Sequence, residues 1–227
     1  MVVDLLFSLQ GQTLPLDHAY GLYAALSRVL GDKIHGTRDV GVFSIRGMQG
    51  DKGKLALTDQ SALRLRVPDG RIKDMLALAG KMLEIDGHRV RLGVPRVMGL
   101  VPAATLVARM VEIKLSRGKE AVPVKVTPEG FLAAARKKLT DPPHEDPGKN
   151  GLGLSAGIEV GIPRHESGKH AGEPQRRILR VKGRIHAGFT LIVSGLSAEE
   201  SIRLQEKGIG GRRVMGCGLF LGVRESA

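Results

Sequence analysis

The period of the hydrophobic positions changes repeatedly along the chain, and each change marks an element. Residues 2–9 form an apolar run rich in branched side chains and read as a buried first strand. From His18 the period lengthens. Ala19, Leu22, Tyr23, Leu26, Val29 and Leu30 recur at helical spacing, with Asp17 placed as N-cap and Gly31 as stop. Residues 41–45, 54–58 and 62–67 read as strands. In the last of these Leu63, Leu65 and Val67 alternate with Arg64 and Arg66, one face apolar and one charged. Residues 71–79 return to a helical pattern that ends at Gly80. Val90, Leu92 and Val94 then alternate with Arg89, Arg91 and Gly93 in another strand.

Residues 95–102, between Pro95 and Pro102, read as a hinge, after which the order repeats. A strand at 105–115 precedes a helix opened by Thr127, with Pro128 in its first turn. Pro142, Pro143, Pro147 and several glycines make 141–157 a loop. Strands at 158–162 and 177–183 flank a polar tip at 163–175, and a further strand follows at 189–194. The helix at 197–207 begins with Ser197 and Glu200 in capping-box spacing, and a strand at 219–223 closes the chain. Each half approximates β-α-β-β-α-β. The predicted fold is therefore α+β, with two tandem ferredoxin-like halves at 1–97 and 98–227.

Charge then says what such a fold binds. The 227 residues carry 35 Lys and Arg against 23 Asp and Glu, a formal net charge of +12, which favours a polyanionic partner. Aromatic residues are only 3%, with no Trp, so a stacking platform for single strands is scarce and recognition by charge and shape is expected. No apolar run is long enough to span a bilayer, and Met1 to Phe7 lacks the basic flank of a secretory signal. Cys217, the one cysteine, excludes an internal disulfide and a thiolate zinc site. The expectation is a cytoplasmic protein with no membrane partner. Gly151 to Gly157 is one residue too long for a dinucleotide fingerprint, and no phosphate-loop ending occurs. His165 and His170, five apart in a polar tip, make a poor metal pair, so neither metal nor cofactor is predicted.

Candidate chemistry concentrates in a few places. Gly208-Ile209-Gly210-Gly211-Arg212-Arg213 runs on to Gly216-Cys217-Gly218. Glycines let a backbone lie close to a bound group, and Arg212 and Arg213 supply forked donors suited to phosphate. The structural alternative is a tight turn packing the last helix on its strand. Arg176, Arg177, Arg180, Lys182 and Arg184 form a basic group. Arg180, Lys182 and Arg184 are expected on one strand face, where like charges repel unless a polyanion lies across them. Lys33, Arg38, Arg46 and Lys52 are further cations. His35 sits in a loop marked by Gly36 and Thr37. His18 lies at a helix N-terminus, whose dipole favours a neutral imidazole.

Two stretches, Gly208 to Phe220 and Leu14-Pro15-Leu16-Asp17-His18-Ala19-Tyr20 with Leu22 to Ser27, resemble the CRISPR repeat-processing endoribonucleases, the sixth Cas family. With Gln175 to Arg180 the chain is most similar to the MYXAN subtype. The resemblance implies a metal-independent cut of CRISPR precursor RNA beside a repeat hairpin. The 2′-hydroxyl upstream of the scissile phosphate attacks it, giving a 2′,3′-cyclic phosphate and a 5′-hydroxyl. It implies His35 and His18 as proton-transfer groups, with Tyr20 and Tyr23 as alternatives. Arg212, Arg213, Gly210, Gly211 and the other cations are then expected on RNA. The implied partners are the repeat hairpin, the processed guide RNA and other Cas subunits of an effector complex. The alternative is a non-catalytic RNA-binding subunit of ferredoxin-like fold.

Overall fold

The computed structural model describes residues 1–51, 53–113, 126–144 and 151–223. Lys52, the far end of the predicted strand at 105–115 and the middle of the predicted loop at 141–157 lie outside them. The fold is mixed α+β. The chain divides into two units. One comprises Met1–Leu100, Leu179–Arg184 and Arg213–Gly216, the other Val101–Ile178, Ile185–Arg212 and Cys217–Ala227. Among the described residues no helix is long and apolar enough to cross a membrane.

In the first unit β1 (Val2–Gln10), β2 (Thr13–Pro15), α1 (Ala19–Leu30), β3 (Gly41–Val42), β4 (Met48–Gln49), β5 (Lys54–Ala56), β6 (Ala62–Pro68), α2 (Ile72–Met75), β7 (Met82–Ile85) and β8 (His88–Gly99) follow in order. Five strands pair antiparallel in the order β3-β6-β1-β8-β7, and β2-β5-β4 form a separate small sheet. Leu5 and Phe7 of β1, Leu63, Leu65 and Val67 of β6, and Leu22 and Leu26 of α1 share one core.

The charged face of β6 is not left to solvent. Arg66 is fully buried, and its Nε and Nη2 donate to the Asp4 carboxylate at 2.7 and 2.9 Å. Its guanidinium lies 5.0 Å from the Phe43 ring centroid. A charge that deep persists because its partner and its hydrogen bonds are supplied.

Three further expectations change. The predicted hinge at 95–102 continues as β8 to Gly99, with Pro95 opposite Phe7 where the β1–β8 register shifts; an irregular ladder tolerates the missing N–H. The predicted helix at 71–79 keeps only one short α segment between 3-10 turns. Strand β7, unpredicted, joins β8 through Asp86 and Gly87 at φ 47° and 82°, a two-residue hairpin turn.

The second unit contains β9 (Leu106–Val111), α3 (Pro128–Thr140), β10 (Glu159–Gly161), half of β11 (Arg176–Val181), most of β12 (Arg184–Ser194), α4 (Ala198–Lys207) and β13 (Phe220–Gly222). Its sheet runs β10-β12-β9-β13, with β11 beside β12. Phe131 and Phe189 meet in its core at 5.0 Å between ring centroids. Thr127 caps α3, and Ser197 with Glu200 completes the predicted capping box on α4. On α1 the N-cap position falls to His18 rather than Asp17, with no side-chain cap bond.

Candidate functional site

Gly31, at φ 55°, ends α1 and starts a 3-10 turn through Lys33. Ile34 and Val40 then drop into the first core, both fully buried, so residues 35–39 are forced outward. His35 stands exposed on this loop. Tyr23, partly buried on α1 against the same core, lies beside it. Tyr23 Oη and His35 Nδ1 are 2.9 Å apart, and the rings meet edge-on at 5.7 Å. Nδ1 is therefore engaged, and Nε2 is the ring nitrogen left for a ligand. When Nδ1–H donates to the phenol oxygen, Nε2 carries the lone pair of a general base. After Nε2 takes a proton, the same phenol oxygen still accepts from the imidazolium.

Asp39 closes the loop. Thr37 Oγ1 donates to its carboxylate in a short bond, and Arg71 Nη1 donates to it at 3.0 and 3.2 Å. Burial alone would raise the Asp39 carboxyl, but the Thr37 and Arg71 hydrogen bonds and the Arg71 charge hold it below its ordinary value.

His18 goes elsewhere. It is 2% exposed; its Nδ1 donates to the Pro15 carbonyl at 2.9 Å, and its Nε2 accepts from the Ile45 N–H at 3.1 Å. That pattern requires a neutral ring and engages both nitrogens inside the fold. The proton-transfer role expected of His18 finds no support in this enclosed geometry. Tyr20 is partly buried, and it is Tyr23, one helical turn on, that meets His35.

The glycine-rich loop shows the tight packing that was its structural alternative. Arg212, at φ 57°, bonds Glu112 Oε2 through Nη1, and its Nη2 lies 3.2 Å from His186 Nε2. His186 Nδ1 lies 3.1 Å from Glu112 Oε1, which closes a three-residue ring of contacts within the second unit. No sequence spacing links residues 112, 186 and 212. Arg213 is largely buried. Burial first, then the nearby Arg66 charge, push its guanidinium down to about 10, against the opposing pull of Asp39.

The glycines serve this packing. A Cβ on Gly210 would meet the Glu112 carbonyl oxygen at 2.4 Å, and one on Gly218 the Ile209 carbonyl oxygen at 2.0 Å, both at positive φ. Gly211 alone in this stretch is exposed with open space around it. Cys217 is buried, and its thiol is pushed up to about 12, chiefly by burial and then by the Glu112 charge.

The basic group splits. The chain turns at Lys182 and Gly183, φ 48° and 77°, so Arg180, Lys182 and Arg184 do not share a strand face; Lys182 occupies the two-residue turn itself. Arg177 is half-buried, donating to Thr190 Oγ1 at 3.0 Å and Gln175 Oε1 at 2.9 Å, and its burial lowers its affinity for a proton. Arg176, Arg180, Lys182 and Arg184 are exposed, with Arg180 paired to Asp17 at 3.2 Å. Arg38 and Arg46 are exposed in the first unit, and Lys33 pairs with Asp74 at 3.5 Å. Lys52 lies outside the described residues. Among the described residues no three His, Cys, Asp or Glu side chains come together as metal ligands.

The family model Cas6, described as Cas6 Crispr, matches residues 3–225. A CRISPR-associated endonuclease Cas6 from Myxococcus xanthus (strain DK1622) is 41% identical over 219 residues, covering 96% of this chain and 80% of that protein. Among solved structures, a Cas6-related protein from Pyrococcus furiosus superposes at a TM-score of 0.65 with 17% identity, over 100% of this chain and 99% of that one. A RAMP protein described as binding different RNA substrates reaches 0.64 at 14% identity, over 99% of this chain and 100% of that one. These two structures attest the fold alone.

Proposed function

Because the chain belongs to the Cas6 family of CRISPR-associated endonucleases, we propose that it cuts CRISPR repeat RNA without metal, using His35 to move the proton. The RNA's 2′-oxygen attacks the adjacent phosphorus and gives up its proton to Nε2 of His35. The bond to the 5′-oxygen breaks, that oxygen takes up a proton, and the ends left are a 2′,3′-cyclic phosphate and a 5′-hydroxyl. The observation that carries this reading is the exposed imidazole held at Nδ1 by Tyr23 Oη at 2.9 Å. It supplies a side chain of a type able to take or give a proton in the transition state. Tyr23 touches the imidazole and orients it.

Each unit reads as a ferredoxin-like β-α-β-β-α-β half, the first running through Leu100 rather than ending at residue 97. The orders β3-β6-β1-β8 and β10-β12-β9-β13 support this, since in both the first strand and the third are neighbours and the fourth lies beyond the first. Exposed Arg38, Arg46, Arg176, Arg180, Lys182 and Arg184 are the proposed phosphate contacts, with the backbone of Gly210 and Gly211 beside them in role. The strongly basic chain suits retention of the processed guide RNA and a place beside other Cas subunits.

The test is a cleavage assay on a hairpin repeat RNA in excess chelator. Cyclic-phosphate and 5′-hydroxyl ends are expected, and a 2′-deoxy nucleotide upstream of the cut should abolish cleavage while leaving binding intact. Products with a 3′-hydroxyl, or a reaction that begins only on adding magnesium, would rule the mechanism out.

A further inference from the structure

We infer that Arg71 is a positioning residue for His35, acting through both ends of the loop that carries it; this rests on His35 being the proton-transfer group. Arg71 lies outside that loop, in the turn that precedes α2. Its Nη2 donates to the Lys33 carbonyl in a short bond, and its Nη1 donates to both Asp39 oxygens at 3.0 and 3.2 Å. Its Nε reaches Asp74 Oδ2 at 3.4 Å, and Asp74 Oδ1 in turn pairs with Lys33 Nζ at 3.5 Å. One guanidinium thus spans residues 33 and 39, two positions before His35 and four after it.

Beside those anchors, Ile34 and Val40 fix where the loop leaves and re-enters the core, but neither fixes its outward conformation. Gly36, at φ 66° with open space around it, adds freedom directly after His35. Thr37 organises the far side, its Oγ1 donating to Asp39 and accepting from the Asp39 and Val40 amides at 3.2 and 3.4 Å. That local turn reaches the rest of the unit through Asp39 and Arg71. The side chain of Arg71 is only 22% exposed, and all three of its nitrogens are engaged, so it is built as a clamp rather than as a phosphate contact. A lysine would keep the charge but could not fork across a carbonyl and a carboxylate at once.

The loss of Arg71 should let residues 35–39 swing and break the Tyr23–His35 register. A displacement of about 1 Å at a reacting group costs on the order of 10²-fold in rate. Arg71→Ala should therefore lower the single-turnover rate at saturating hairpin RNA by about 10- to 100-fold. RNA affinity and its salt dependence should be unchanged. Arg71→Lys should recover little of the rate. In a His35→Ala background Arg71→Ala should cost nothing more, because two changes acting through one group do not add.

A second readout needs no activity. Nitrogen-15 spectra of the imidazoles should show one dominant neutral His35 tautomer in the wild type and a mixture in Arg71→Ala. The enclosed His18 signal should stay fixed and report an intact fold. If that signal is lost, Asp39→Asn, which removes the charge of one anchor, carries the same measurements. An equal rate loss from Arg71→Ala with and without His35 would overturn the inference, as would weakened RNA binding with a flatter salt slope. If His35→Ala itself leaves the rate unchanged, the catalytic reading fails, while the tautomer spectra still decide whether Arg71 positions the ring.

Discussion

The loop at residues 33–39 and the loop at residues 208–218 are held by opposite means. The first is held by side chains: Arg71, Thr37 and Asp39 bond across it, and its one imidazole stays exposed. The second is held by backbone. Glycines 210 and 218 sit where any Cβ would strike a carbonyl oxygen, and its arginines are absorbed by Glu112, His186 and burial. The difference teaches that glycine density marks crowding of the chain against itself as readily as against a ligand. The loop with the louder sequence signal is packed tightly against its own chain, and the quieter one leaves an imidazole exposed.

Exchanging the kind of damage done to each loop gives the largest effects. His35→Ala should lower the single-turnover cleavage rate by about 10²–10⁴-fold, with little change in RNA affinity or in the unfolding midpoint. Gly218→Ala should do the reverse. Its Cβ would fall 2.0 Å from the Ile209 oxygen at φ 68°. Strain and displaced backbone together should cost about 2–4 kcal/mol of stability, read in a denaturant titration. Near-normal cleavage in His35→Ala, or a Gly218→Ala protein as stable as wild type, would break the contrast.

Much of this architecture was legible in the periodicity. Helix α1, the alternation of β6, the capping box of α4 and the loop around His35 all follow from local spacing, because each depends on neighbours within a few residues. What escaped depends on distance in sequence. The burial of Arg66 rests on Asp4, and the fate of Arg212 on residues 112 and 186. The enclosure of His18 rests on the amide of Ile45. Two misses were nevertheless local. Asp86-Gly87 and Lys182-Gly183 are both two-residue hairpin turns, and recognising them would have found β7 and moved Lys182 off the strand face. At the candidate site, His35 and Tyr23 were visible as residue types. Their pairing needed the return of Ile34 to the core, which spacing does not reveal.

Among the arginines the same contrast predicts a smaller and separable effect. Arg212→Ala leaves Glu112, 12% exposed, without its guanidinium, and should cost about 1–3 kcal/mol of stability. Replacing the exposed Arg176, Arg180 and Arg184 together by Ala should leave stability within about 0.5 kcal/mol per site. That triple variant should instead weaken RNA binding and flatten the dependence of affinity on salt by about 0.7–0.9 for each phosphate that is no longer neutralised. Binding measured across a salt series on a hairpin RNA, beside denaturant titrations, separates the two groups. An Arg212→Ala protein with wild-type stability and a flattened salt slope would instead make Arg212 a phosphate contact.

The smallest effect concerns acid, and it distinguishes the loops by what can titrate. In the backbone-held loop the Cys217 thiol is pushed up to about 12 and the Arg213 guanidinium stands at about 10, so neither changes charge between neutral pH and mild acid. In the side-chain-held loop Asp39 changes charge, but only in stronger acid. Its carboxyl is held below the ordinary 3.8, so the folded state binds a proton less readily than the unfolded chain. The Asp39 charge therefore stabilises the fold at pH values above 3.8, and that contribution is lost as pH falls through the lower folded value. Because the Asp39 side chain is 44% exposed, solvent screening keeps the contribution small. Asp39→Asn should unfold at a slightly lower temperature than wild type at neutral pH, and the gap should close in acid. A gap that stays constant from neutral pH to below 3.8 would show that the Asp39 charge does not hold the His35 loop.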